Sequence, residues 1–369
     1  MKPIRVAFVN ELYGTRRQGG EQEAMFALAS RLNLEPDVQT ETFTYSGKDS
    51  NRLAFRAPEM LRLFPYVRDI TVVPRLGRFI AKTITPNFDL IHTCATTMFA
   101  ERVPPVPVVT SLHAIRLHMA ENVARIPKYW PVVNPLIRAR IRTLEKRSLL
   151  RAQKLVVLKQ SMADFLRDRY GIPASQISIV PNPVDTALFS PKPSKEPIVL
   201  FVGRASVMKG IDILLKAAPM IHGKVIVATR VVELGLQKRF HEAKIELHKN
   251  VEHAKMADLY QSAQVFVLPS RDECQPLSVL EAMASGIPSV VTPAAASNLI
   301  EDQRHGIIVS NDPDRLAHAV NTLLANEKLR TEYGARAREK LEKQHAWPLI
   351  IHAYKKIYEE ALTFARVSS

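Results

Sequence analysis

Short runs of Val, Ile, Leu and Phe alternate with longer stretches of helical spacing along almost the whole chain, and this alternation is what most constrains the fold. Strands separated by helices pair in parallel, because each crossover helix carries the chain back over a face of the sheet. In the first half the strand-like runs are IRVAFV (4–9), VQTETFTY (38–45), LIHTC (90–94), VPVVTSL (106–112) and KLVVLK (154–159). In the second they are PIVLFVG (197–203), KVIVAT (224–229), QVFVLPS (264–270), IPSVVT (287–292) and GIIV (306–309). The rhythm breaks at FSPKPSKEP (189–197), where Pro, Ser and Lys replace apolar residues just before a new buried strand. Two series predict two doubly wound, Rossmann-like α/β domains, residues 1–190 and 191–348, and a length of 369 residues agrees with two cores.

Composition excludes several classes. No apolar stretch approaches the roughly 18 residues of a membrane span. The opening MKPIRVAFVN has two basic residues and a short apolar run, so it reads as a first buried strand and a cytoplasmic location is expected. Cys94 and Cys274 are the only cysteines, too few for a disulfide framework or a four-ligand zinc site, and no histidine pair has metal spacing. No metal site is expected.

The net charge of +15 is uneven: +12 from Met1 through Lys159 and +3 from Gln160 onward. Residues 52–83 carry seven Arg/Lys against Glu59 and Asp69, and residues 114–159 carry eleven against Glu121 and Glu145. Within PRLGRFIAKTI, Arg75, Arg78 and Lys82 share one helical face, while Leu76, Phe79, Ile80 and Ile84 share the other. A basic amphipathic helix favours an anionic membrane surface over a merely solvated face. No nucleic-acid motif is visible, so nucleic acid is not an expected partner.

In open α/β sheets ligands bind beyond the carboxyl ends of the strands, so the loops there are the ones that matter. After the first strand, Gly19 and Gly20 precede a helix with apolar positions at Met25, Leu28, Ala29 and Leu32, which lets backbone approach a ligand at a positive helix end. The spacing is not that of a dinucleotide fingerprint. After PIVLFVG come Arg204, Lys209 and a helix starting near Gly210 with Asp212 in its first turn. Two fixed cations beside a helix N-terminus suit a diphosphate. In RDECQPLSVLEAMASGIPSVV (271–291), Pro276 and Ser278 suit a helix start and Gly286 its end, which puts Glu273 in the loop and Glu281 about one turn into the helix. Carboxylates accept well from paired sugar or ribose hydroxyls. With 36 acidic residues chance supplies several such pairs, so the loops must be weighed together. His92 and His113, after two first-half strands, carry no weight alone.

Together these landmarks resemble the retaining glycosyltransferases of family 4, with the GT-B fold. The matching segments run in order: GG with an acidic residue at 19–21, FDLIH at 88–92, TSLH at 110–113, VPNPVD at 180–185, FVGRASVMKG at 201–210, LPSRDECQPLSVLEAMASGIPSVV at 268–291 and HGIIV at 305–309. The E-x7-E region is the most specific. The resemblance implies two Rossmann-like domains with a donor cleft between them, domain closure over the donor, and a C-terminal helix, 349–366, that packs back on the first domain. It implies a nucleotide-sugar donor, UDP favoured over GDP or ADP, with no cofactor and no metal.

The resemblance also implies residue roles. Arg204 and Lys209 would bind the diphosphate, Glu281 the ribose hydroxyls and Glu273 the transferred sugar. Backbone around Gln275, Pro276, Leu277 and Ser278 would orient that sugar or its phosphate. Gly19 and Gly20 would approach the diphosphate, and His113 would meet the sugar near the reaction centre. The acceptor is expected to be a glycan or lipid-linked molecule at the cytoplasmic membrane face. The chain departs from the family at VIVATR, where G-x-G is usual, at PAAASNLI, with Asn298 near the usual glutamate, and at NPVD in place of NGVD. Alternatives that keep the fold are a sugar phosphorylase or synthase and a nucleotide-sugar epimerase. From a different class, the alternative is a basic binding module for RNA or anionic lipid.

Overall fold

The apolar runs of the first half form one parallel sheet and those of the second half another. The computed structural model describes residues 2–10, 20–44, 65–84, 87–124 and 134–367. The first unit, Met1–Pro181 with Ile350–Ser369, and the second, Asn182–Leu349, each have their own core.

In the first unit the order is β1 (Ile4–Asn10), α1 (Gly20–Leu32), β2 (Val38–Thr44), α2 (Pro65–Thr83), β3 (Leu90–Thr93), β4 (Val108–Leu112), α3 (Arg116–Ala124), α4 (Pro135–Leu150), β5 (Lys154–Val157), α5 (Gln160–Tyr170) and β6 (Ile177–Ile179). Its sheet runs β2-β1-β3-β4-β5-β6. β3 and β4 are buried along their whole length, as strands covered by helices on both faces must be.

The second unit contains β7 (Ile198–Val202), α6 (Ile211–Ala217), β8 (Lys224–Thr229), α7 (Gln237–Glu242), β9 (Glu246–Lys249), α8 (His253–Ser262), β10 (Val265–Leu268), α9 (Leu277–Ala284), β11 (Ser289–Val291), α10 (Pro293–Ala296), β12 (Gly306–Ile308), α11 (Pro313–Ala325) and α12 (Glu327–Gln344). Its sheet runs β12-β11-β10-β7-β8-β9. The chain winds outward from β7 in one direction and from β10 in the other, so the switch point lies between these two paired strands. The loops after β7 and β10 carry Arg204, Lys209 and Glu273.

α13 (Trp347–Val367) closes the chain, and from Ile350 it belongs with the first unit. Ile350, Tyr354, Ile357, Tyr358 and Ala361 are buried. Leu349, just ahead of them, is 51% exposed.

Two strands were not anticipated from sequence, β6 and β9. Both lie at sheet edges, and both contain only partly buried and exposed positions instead of a buried apolar run. The amphipathic reading of α2 is corrected in one respect. Val72, Val73, Leu76, Ile80 and Ile84 are buried in the first unit's core, so this face is already covered by protein. Arg75, Arg78 and Lys82 are exposed, and Arg78 pairs with Glu101 at 2.9 Å. The helix therefore turns charge outward and offers no apolar wedge. Residues 52–64 and 125–133 of the basic stretches lie outside the described residues. Among the described residues no helix is long and apolar enough to cross a membrane.

Candidate functional site

The loop after β7 is built to lie against the loop after β10. Gly210 caps α6 at φ +71°, and a Cβ there would sit 1.8 Å from the Pro269 carbonyl oxygen, so only glycine permits both the turn and the approach. Across this contact Lys209 Nζ pairs with Glu273, whose side chain is 8% exposed. Arg271 strengthens the junction. Its guanidinium donates to both Asp212 oxygens at 2.8 Å and to the Val207 carbonyl, while its N–H reaches the Met208 carbonyl at 2.9 Å. Such a fork on a carboxylate fixes direction as well as distance. Sequence reading passed over Arg271. The pattern that could have exposed it is its pairing with Asp212, which was noted only as a first-turn acid.

The β7 loop is held on its other side by the segment that replaces G-x-G. Ala205 N donates to Val231 O at 2.8 Å, Glu233 N to Ala205 O at 2.9 Å, and Val207 N to Glu233 Oε2 at 3.0 Å. Arg204, on the same loop, is exposed. A cation held by its own backbone but facing solvent can meet an anionic ligand with little reorganisation.

α9 starts at Leu277 with Pro276 as its N-cap and no side-chain cap. Pro276 has no N–H, so the amides available at this helix start are those of Leu277 and Ser278, ahead of the first intrahelical bonds. Gln275, read as a donor contact, has a buried side chain. Its Oε1 accepts from Asn182 N at 2.6 Å, its Nε2 donates to Asn298 Oδ1 at 3.2 Å, and its carbonyl accepts from Asn182 Nδ2 at 3.2 Å. Gln275 thus ties VPNPVD and the Asn298 loop to the start of α9 by its side chain, and its backbone alone faces the helix start. Glu281, on the first turns of α9, accepts from the buried Tyr260 hydroxyl at 2.6 Å. Burial and the neighbouring Glu281 charge push the Tyr260 pKa well above its usual value, so it stays protonated and donates.

In the first unit Gly20 opens α1, and Gly19 lies outside the described residues. His113 is half-buried just past β4. Burial lowers its pKa and Glu21 opposes the shift, so the imidazole is neutral at pH 7. Arg116 Nη2 lies 3.7 Å from Glu21, joining the segment after His113 to the first turn of α1. Beneath His113 lies a neutral polar network. Buried His92 contacts the Tyr358 hydroxyl through Nδ1 at 2.7 Å and Ser111 Oγ through Nε2 at 2.7 Å, and Ser111 Oγ lies 3.0 Å from the Tyr354 hydroxyl. Glu145, fully buried, accepts from Arg116 N at 2.7 Å and Leu117 N at 3.0 Å, capping α3 directly after the His113 turn.

The structure thus brings Arg204, Lys209, Glu273, Gln275, Pro276, Leu277, Ser278 and Glu281 to neighbouring loops of the second unit. Gly20 and His113 sit at strand ends of the first.

Comparison with known proteins agrees with this architecture. Residues 25–188 match Glycosyltransferase Family 4, and residues 196–326 match Glycosyl transferases group 1. A D-inositol 3-phosphate glycosyltransferase 1 from Catenulispora acidiphila is 27% identical, with 99% of this chain and 97% of the relative aligned. Sucrose-phosphate synthase from Thermosynechococcus elongatus superposes with a TM-score of 0.79 at 19% identity, covering 98% of this chain and 99% of that one. HepE from Anabaena, solved with UDP-glucose, superposes at 0.70 with 16% identity, covering 96% and 100%. At such identities the structures speak for the fold, while the two matched domains between them span most of the sequence. The chain belongs to the retaining glycosyltransferases of family 4, and its two parallel sheets are those of the GT-B fold.

Proposed function

We propose that this glycosyltransferase moves a hexose or N-acetylhexosamine from a nucleoside diphosphate sugar, UDP before GDP or ADP, to a glycan or lipid-linked acceptor in cell-envelope assembly. The observation that carries the reading is the convergence of Arg204, Lys209 and the start of α9 at the β7/β10 switch point, with Glu281 braced one turn further on. Arg204 and Lys209 stabilise the departing diphosphate, Glu281 accepts from ribose hydroxyls, and Glu273 orients Lys209 and the transferred sugar. The bond from the anomeric carbon to the diphosphate oxygen breaks, and the acceptor oxygen bonds to that carbon on the same face. The acceptor proton passes to the leaving phosphate. Catalysis is then charge stabilisation and positioning, which needs no protein nucleophile and no metal. His113, neutral at pH 7, contacts the sugar as an uncharged donor or acceptor.

Support for an acceptor at an anionic membrane comes from α4, whose outward face carries exposed Arg140, Arg142, Lys146 and Arg147. Leu136 and Leu150 flank them at 83% and 45% exposure. With α2 packed beside α4 and its own cations outward, this face favours anionic headgroups. A second reading of the acceptor, a soluble phosphorylated polyol, is favoured by the Catenulispora relative, a D-inositol 3-phosphate glycosyltransferase.

The test is donor hydrolysis and transfer with UDP-, GDP- and ADP-sugars, scored with lipid-linked acceptors in anionic vesicles and with inositol phosphate in solution. Turnover of one donor with retained anomeric configuration is expected. Release of sugar phosphate, epimerised donor, or no turnover of any donor would overturn the reading.

A further inference from the structure

Glu281 does not stand alone on α9. Tyr260, at the end of α8, is fully buried, with its ring edge-on to Phe189 at 5.5 Å and tilted against Phe266 at 5.9 Å. The phenol hydroxyl points to α9. Its oxygen is 2.6 Å from Glu281 Oε2 and 3.2 Å from the Ser278 carbonyl. A hydroxyl has one proton, and the shorter, charge-assisted contact takes it. One oxygen of the Glu281 carboxylate is therefore tethered by a group anchored in the core of the second unit.

We infer that Tyr260 is a positioning residue that gives Glu281 its selectivity for a ribose over a 2′-deoxyribose in the bound nucleotide; this rests on the reading of Glu281 as the ribose grip. A carboxylate has about four acceptor sites, so accepting from the phenol does not prevent it from accepting from sugar hydroxyls. Tethered at one oxygen, it accepts from two adjacent hydroxyls at once, and a sugar lacking one of them forfeits a charge-assisted bond. Without the phenol the carboxylate loses one of the contacts that orient it, and ordering it on binding costs more side-chain entropy. The discrimination between the two sugars shrinks accordingly. Nothing in the spacing of the E-x7-E region reveals this, because Tyr260 lies on the preceding helix and reads in sequence as an apolar core position.

The experiment is isothermal titration of the full chain with UDP and 2′-deoxy-UDP, and with the corresponding GDP and ADP pairs. It is done for wild type, Tyr260→Phe, Glu281→Gln and the double variant. Wild type is expected to favour the ribo form of one nucleotide about tenfold or more, as loss of a hydrogen bond to a charged group implies. Tyr260→Phe keeps the ring packing and lowers that ratio several-fold, chiefly by weakening the ribo form. In the Glu281→Gln background Tyr260→Phe changes the ratio no further, because the two residues act as one unit. A Tyr260→Phe protein that keeps the wild-type ratio, or weakens both forms equally, overturns the inference and leaves the ribose grip standing. A wild type that does not distinguish the two forms of any nucleotide removes the grip itself, and the inference with it.

Discussion

The strand ends of the two units solve the same task with opposite chemistry. In the second unit the loops at the switch point are joined by charge: Lys209 to Glu273 and Arg271 to Asp212, with Glu281 braced by a phenol. In the first unit the groups beneath His113 are neutral, namely His92, Ser111, Tyr354 and Tyr358, and the buried Glu145 is spent on capping α3. Charges that must meet a charged ligand are kept partly exposed and paired, ready to exchange a partner. Groups that only hold a helix to a sheet are buried and uncharged, where they need no counter-ion. The difference implies that substitutions at the switch-point loops of the second unit cost turnover and those in the network beneath His113 cost stability.

The largest effect is therefore expected at the diphosphate cations. Arg204→Ala and Lys209→Ala should each lower transfer turnover by about 100- to 1,000-fold, the range for removing one group that stabilises developing charge. The far-UV circular dichroism should stay that of wild type. Loss below about threefold would break the comparison at its strongest point.

Next, His92→Leu should lower unfolding free energy by about 2–4 kcal/mol, since it strands the Tyr358 hydroxyl in the core and removes one of the two partners of Ser111 Oγ. Urea denaturation measures this, and nucleotide affinity should be unchanged if the second unit holds the donor.

A third prediction concerns pH. Burial, with His113 nearby, holds the His92 pKa down to about 3. Unfolded histidine titrates near 6.5, so between about 6.5 and about 3 the unfolded chain binds more protons and stability rises with pH. The contribution is complete above about 6.5 and is lost as pH falls. His345, lowered chiefly by burial, has the same sign. The Tm should drop between pH 7 and pH 5, and less steeply in His92→Leu; equal slopes would remove His92 from the account. The smallest effect is expected far from either strand end. Breaking the exposed Arg336 and Glu332 pair should change stability by less than about 0.5 kcal/mol in urea.

How far the sequence reached follows the same division. Of the ten runs that were legible as strands, eight lie inside the sheets, and the other two, β2 and β12, are edges like β6 and β9. The two that were not, β6 and β9, are edge strands, and Glu246 in β9 is occupied by Lys224 and His248. Apolar patterning reports burial, and β6 and β9, which have no fully buried position, carry too little of it. At the site, Arg204, Lys209, Glu273 and Glu281 were legible because their loops follow strands. Their supports were not: Arg271, Tyr260, Asn182 and Glu233 act across 21 to 93 positions of sequence, and only the fold brings them together. The amphipathic face of α2 was legible as a pattern, but the pattern could not tell protein core from lipid.

The central claim is that the β7 and β10 loops cradle a diphosphate, and the most direct measurement compares UDP with UMP by isothermal titration in wild type, Arg204→Ala and Lys209→Ala. UDP should bind wild type at least about tenfold more tightly than UMP, as an added charge-assisted contact implies, and each substitution should close most of that gap while leaving UMP binding nearly unchanged. Equal affinity for UDP and UMP in wild type, or a gap that survives both substitutions, would contradict the account.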